Sequence, residues 1–138
     1  MTPSKIYHPR YAVKESLVSS KSGLERALTA AQTAEDNRGT NIVVLDTREL
    51  TSMFDYFVIA TGSSRRQIHA MSEEIDHALE DRMGDRRLGI EGYEESRWIL
   101  LDYGDVVVHL FEPDTRTYYA LEELWGQAKR IPRGDEKT

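Results

Sequence analysis

The sequence predicts one α/β domain, a five-stranded sheet flanked by helices, and three observations carry that expectation. Residues 96–111 hold two runs rich in β-branched and aromatic side chains, broken at Tyr103 and Gly104 with Asp102 and Asp105 at the shoulders. That is the pattern of two antiparallel strands joined by a tight turn. Residues 41–47 and 55–61 are nearly continuous apolar runs of strand length, which suits strands covered on both faces. Residues 24–34 and 68–79 repeat their apolar side chains at the helical period, and these segments supply the cover. A chain of 138 residues is long enough to bury such a core without disulfides or metals.

Taken in order, residues 1–21 mix Pro3, Pro9, Lys and Ser with few large apolar groups and read as a mobile arm. A domain over residues 22–126 and a polar tail over 127–138 follow. The first helix starts at Ser22, where Ser22 and Glu25 have capping-box spacing, and it ends at Asn37–Gly39. Its apolar face, Leu24, Ala27, Leu28, Ala31 and Ala34, is made of small side chains and predicts close packing against the sheet or a second copy of the chain. The strands at 41–47 and 55–61 come next. Gly62, Ser63 and Ser64 turn into a second helix, again with capping-box spacing at Ser64 and Gln67. Ile68, Met71, Ile75, Ala78 and Leu79 keep its period until Gly84 stops it. Residues 89–92 form a short edge strand before the central hairpin. After Phe111, Pro113 and Asp114 open a helical turn, and Tyr118, Tyr119, Leu121, Leu124 and Trp125 make an aromatic-aliphatic end.

Composition narrows the function. The absence of cysteine excludes disulfides, thiol nucleophiles and thiolate metal sites, and a cytoplasmic-type protein is the expectation. No run has the length of a membrane span, and the first residues lack the apolar core of a secretory signal. The formal charge of −6 is unevenly distributed. Residues 1–22 and 126–138 are basic, and the stretch between them carries ten basic against 21 acidic side chains, a net −11. Such a body repels phosphate backbones and attracts basic surfaces, so a basic protein partner is expected and direct nucleic-acid binding is not.

Candidate chemistry is sparse. Thr61–Ser64, at a strand-to-helix junction, is where a phosphate sits in many proteins, but neither a P-loop nor a dinucleotide fingerprint is present. The Gly62-Ser63 pair resembles that of nucleotidyltransferases, yet the paired metal-binding carboxylates those enzymes carry on the next strand are missing, because the residues after Ser63 are helical. A nucleotide-binding enzyme using this turn is the alternative reading. Asp105 and His109 fall on one face of a strand, about 13 Å apart along it, too far to share an ion. Asp102 and Asp105 suit a turn. His69 and His77 sit two turns apart on one helix and read as solvated. No cofactor and no metal site are expected. The aromatic and acidic excess around the hairpin, Tyr93, Glu94, Glu95, Trp98, Tyr103, Tyr118, Tyr119 and Trp125, favours a protein-docking face.

Several separate motifs then point to one family. Residues 55–64 with Gln67, Glu91-Gly92, Trp98, residues 101–105 and 107–111, and Arg116 with Tyr118, Tyr119, Leu121, Glu122, Leu124 and Trp125 occur in the order and spacing of the ribosomal silencing factors, the RsfS or Iojap family, which the chain resembles from about Leu24 to Trp125. The resemblance implies a mixed sheet with nucleotidyltransferase-like topology that lacks the catalytic carboxylates, and a homodimer when free. It implies a non-enzymatic translation repressor that binds the large ribosomal subunit through its protein numbered fourteen and sterically blocks joining of the small subunit under nutrient limitation. The docking residues it implies are Trp98, Asp102, Asp105, His109 and Tyr118, with Glu91 and Tyr93 beside them.

Overall fold

The computed structural model describes residues 22–119, 123 and 125–133, except for the side chains of Tyr118 and Tyr119. The expected arm at 1–21, the side chain of Tyr118, and Leu121, Glu122 and Leu124 lie outside the described residues. Helix α1 (Gly23–Asp36) is followed by strands β1 (Thr40–Asp46) and β2 (Tyr56–Thr61), helix α2 (Arg65–Asp76) and a π-helical turn (His77–Arg82). Strands β3 (Gly89–Glu91), β4 (Trp98–Asp102) and β5 (Val106–Phe111), helix α3 (Pro113–Tyr119) and strand β6 (Lys129–Arg130) complete the order. The strands form one mixed sheet in the order β3-β4-β5-β2-β1-β6. Among the described residues only β2 and β5 run parallel, from Tyr56 opposite Val106 to Thr61 opposite Phe111. The central hairpin is present as β4 and β5, with Trp98 opposite Phe111 and Asp102 opposite Val107.

Six strands replace the expected five. The sixth is Lys129–Arg130, from the stretch expected as a polar tail, and it pairs with Leu45 and Asp46 of β1 while the Ile131 amide donates to the Val44 carbonyl. Two residues carry no readable period, so no pattern marked them as a strand.

The sheet is apolar on both faces, as its continuous runs predict. One face, with Val44, Val58, Ala60, Ile99, Leu101, Val106, Val108 and Leu110, packs on α1 and α2. Helix α1 begins with the full capping box, Ser22 Oγ accepting from the Glu25 amide and the Glu25 carboxylate from the Ser22 amide, each at 3.0 Å. Ala27, Ala30, Ala31 and Ala34 are fully buried, so its small-residue face serves close approach to the sheet. Helix α2 keeps its period through Ile68, Met71 and Ile75, then widens into the π-helical turn, in which Ala78 and Leu79 stay buried. Gly84 stops it in the left-handed region, at φ 72°. On the other face Val43, Leu45, Phe57, Ile59, Leu100, Val107 and Phe111 pack with Phe54 and Trp125. Phe54 stacks on Phe57 at 5.1 Å, and Trp125 meets both rings edge-on at 5.6 Å.

A polar knot closes the start of the parallel pair. Arg26, 1 % exposed in the first turns of α1, donates to Asp85 at 2.6 Å and to both oxygens of Asp105, one of them at 3.0 Å. Burial works against the guanidinium charge, but Asp105 and then Asp85 outweigh it and hold the group protonated beyond its ordinary range. The Asp105 carbonyl also accepts from the amides of Asp55 and Tyr56, which sets the register of β2 on β5. Nearby, burial and then the Asp105 charge push the Asp55 carboxyl up. The Asp46 carboxyl is held low, chiefly by its hydrogen bonds from Arg48.

Two predictions follow from this knot. Arg26→Met takes the counter-charge away from the fully buried Asp85 and should cost about 3 kcal/mol or more, read as a drop in the urea midpoint; a loss under about 1 kcal/mol would mean the knot is incidental. Asp55→Asn should raise stability at pH 7 by up to about 1 kcal/mol, the scale of a solvent-screened surface interaction. The sign follows from its raised folded-state pKa: the charged form is penalised on folding, so wild type gains stability as pH falls through that pKa and the advantage of Asn disappears. Urea melts at pH 7 and pH 4 separate the two cases.

Candidate partner-docking surface

The candidate surface grows from the loop that joins β3 to β4. Gly92, at φ 78°, lies so near β4 that a Cβ there would stand 2.0 Å from the Trp98 carbonyl oxygen, so only glycine fits. The Ser96 amide donates to the Gly92 carbonyl at 2.9 Å, and Ser96 itself is buried at φ 60°. Its hydroxyl donates to the Tyr93 carbonyl at 2.8 Å. His69 of α2 lays its ring flat on Tyr93, centroids 4.1 Å apart, and its Nε2 reaches the Tyr93 carbonyl at 2.5 Å and also contacts the Ser96 hydroxyl. The Tyr93 hydroxyl donates to Glu73 at 2.5 Å, and that hydrogen bond pushes the phenol up. A loop of polar residues is thus pinned to α2, with Glu91, Glu94 and Glu95 exposed along it.

The loop delivers Trp98, half-buried at the start of β4. Its ring tilts over Phe111 with centroids 4.9 Å apart, and its indole N–H donates to His109 Nδ1 at 2.8 Å. His109 is 4 % exposed and packs on Phe57, centroids 4.5 Å apart. On the helix side, a cleft of about 310 Å³ between α2 and the loop is lined by Ser72, Glu73, Asp76, Arg87, Ile90, Tyr93 and Glu94.

The structure therefore divides the expected site residues. Trp98, Tyr93 and Glu91 all present surface near the β3–β4 end of the sheet, Trp98 packing with the aromatic face and Tyr93 with the helix side. Asp102 is 3 % exposed and accepts from the Gly104 amide at 2.9 Å, the role of a turn former. Asp105 does not share a face with His109: Gly104, at φ 92°, breaks the strand alternation, and the Asp105 carboxylate turns to Arg26 beneath the helices while His109 points to the aromatic face. Tyr103, fully buried, donates to Asp76 at 2.7 Å, and burial followed by that carboxylate pushes its phenol up. Of the two helical histidines expected in solvent, His77 is exposed beside Asp81 at 2.5 Å, whereas His69 is half-buried in the loop's anchor.

Sequence reasoning missed Ser96 and the anchoring role of His69. A left-handed serine leaves no sequence signal. The Trp98–His109 contact was open to register arithmetic, since residues diagonal across an antiparallel pair lie within reach of long side chains. At the other end of the sheet, the Gly62–Ser64 turn has the Ser63 amide donating to the Gln67 carboxamide and the Gln67 amide to Ser64 Oγ at 3.1 Å, so those two donors are committed internally. The same carboxamide donates to the Asn37 and Arg38 carbonyls, tying α2 to the end of α1. Among the described residues no three His, Asp or Glu side chains are grouped to hold a metal ion, and no helix is long and apolar enough to cross a membrane.

Comparison with known proteins places this arrangement. A family model described as ribosomal silencing factor during starvation matches residues 20–138. The ribosomal silencing factor RsfS of Bacillus subtilis is 44 % identical over 100 residues, 72 % of this chain and 83 % of its own length. That of Chromobacterium violaceum is 43 % identical over 100 residues, 72 % of this chain and 81 % of its own. A crystal structure of a Chromobacterium violaceum protein superposes with a TM-score of 0.74 at 38 % identity, covering 85 % of this chain and 95 % of that one. With the family model spanning both the helical layer and the hairpin that carries Trp98, the chain belongs to the RsfS family of ribosomal silencing factors.

Proposed function

We propose that this protein is a non-enzymatic ribosomal silencing factor of the cytoplasm, which docks on the large ribosomal subunit at its protein numbered fourteen and sterically blocks joining of the small subunit. The observation that carries this reading is family membership across the whole domain, with relatives named as ribosomal silencing factors. The surface supports it physically. A half-exposed tryptophan beside exposed carboxylates on a pinned loop is the composition of a docking anchor for a basic protein surface. Contact falls to Trp98, Tyr93 and Glu91, with Tyr118 added from the family resemblance alone; His109 backs Trp98 from beneath, whereas Asp102 and Asp105 are held in the hairpin turn. A body of this size on a subunit-joining face excludes the other subunit by volume and needs no chemistry, provided that its affinity competes with subunit association. The same surface is available for a homodimer when the protein is free.

The test is a sucrose gradient of purified large and small ribosomal subunits, with the protein added before they join. Wild type should migrate with the large subunit and remove the joined peak. Trp98→Ala should weaken docking by about 2 kcal/mol, as expected for a central aromatic anchor, and Glu91→Lys should weaken it less, in a manner that grows at low salt. A folded wild-type protein left at the top of the gradient, with normal subunit joining, rejects the reading.

A further inference from the structure

The buried side of the docking surface contains a polar contact that its exposed side does not explain. Trp98 starts β4 and lies diagonally across the strand pair from His109, since Trp98 faces Phe111 and Leu100 faces His109. Its indole N–H donates to His109 Nδ1 at 2.8 Å. A nitrogen that accepts carries no proton, so this imidazole is neutral, with its proton on Nε2. His109 is wedged between Phe57 and Phe111, ring centroids 4.5 and 6.1 Å away, and its 4 % exposure closes it to an approaching protein. Trp98 is the half-exposed member of the pair. Its plane is set by the tilted contact with Phe111, and the direction of its indole nitrogen by His109.

We propose that His109 is a positioning residue for docking: its neutral imidazole holds the Trp98 indole in the orientation that the partner receives. The proposal rests on the docking reading above and names the residue that prepares its anchor. A large aromatic side chain already fixed before binding loses less freedom on association, and an indole whose N–H is satisfied within the protein asks no acceptor of the partner. His109 thus bears on affinity while touching nothing but its own chain.

The experiment uses the full chain and purified large ribosomal subunits. His109→Phe keeps a ring and removes the acceptor; His109→Asn returns a carboxamide oxygen close to the place of Nδ1. Proton–nitrogen spectra follow the indole resonance of Trp98, assigned by its disappearance in Trp98→Phe. His109→Phe should move that resonance and weaken co-sedimentation roughly three- to tenfold, the range expected for ordering one side chain. His109→Asn should recover most of the affinity, and in a Trp98→Phe background His109→Phe should cause no further loss. An equal loss in that background would make His109 a packing residue only and overturn the proposal, as would an unmoved indole resonance. Should His109→Phe not fold, His109→Leu, which also removes the acceptor, takes its place in the same spectra and sedimentation, with the same outcomes deciding. Failure of wild type to co-sediment would remove the docking reading and this role together, whereas wild type that co-sediments with an affinity unchanged in His109→Phe would remove this role alone.

Discussion

The fold depends on how one buried guanidinium is satisfied. Arg26 sits where α1 crosses the start of β2 and β5, and its two aspartates arrive from different parts of the chain, Asp85 after the π-helical turn and Asp105 from the hairpin turn. An ion pair at that depth offsets the cost of desolvation only with good geometry and several hydrogen bonds, and here one group collects three elements. Asp105 then uses its carbonyl on the amides of Asp55 and Tyr56, so the residue that anchors the hairpin to the helices also aligns the parallel pair of strands. A second link acts on the same turn from the other helix, Tyr103 to Asp76, with Arg87 on the remaining oxygen of Asp76 at 3.0 Å. The turn is held from both helices, and the strands it joins inherit that rigidity.

That rigidity is what the opposite face uses. The helix side of the sheet is filled with aliphatic and small side chains, while the other side carries Phe57, His109, Phe111 and Trp98 in contact with one another. A rigid aromatic stack ending in a half-exposed tryptophan differs from a mobile surface tryptophan, because its contact area is already oriented. The neighbouring loop is treated likewise: Gly92, Ser96 and His69 fix its course, so that its glutamates project from a defined backbone.

Much of this was legible in the sequence, and the limits have physical causes. Helix α1, its capping box and the hairpin were readable because each is specified by neighbours in sequence: Ser22 with Glu25, and Asp102 with Gly104. The hairpin's face assignment was not, because strand alternation assumes that the strand continues through Asp105, and Gly104 at φ 92° ends it one residue earlier. Arg26 gave no sign of its role, since an arginine on a helix reads as solvated until the fold brings two aspartates 59 and 79 residues away onto it. The π-helical turn and the two-residue β6 escaped for the complementary reason that each is too short to set up a period. Of the expected site residues, Trp98, Tyr93 and Glu91 reach the surface, whereas Asp102 and His109 do not, because residue type is visible in a sequence and exposure only in the fold.

The charge of the body takes on a different meaning once its acids are placed. The central stretch has a formal −11, a net figure that already counts its arginines, and several of its acids are engaged within the molecule. Asp85 and Asp105 answer Arg26, Asp76 answers Arg87, Asp46 answers Arg48, and Glu73 receives the Tyr93 hydroxyl. Acids engaged in this way contribute to stability and to the orientation of neighbours, and little to the field met by an approaching partner. The exposed carboxylates that precede Trp98 in the chain are Glu91, at the end of β3, and Glu94 and Glu95 on the pinned loop. Attraction is screened over about 8 Å at physiological ionic strength, so for a surface approaching at Trp98 this local group counts most. On the docking reading proposed above, the loop's charge would set the rate of encounter and the tryptophan beside it how long the complex lasts.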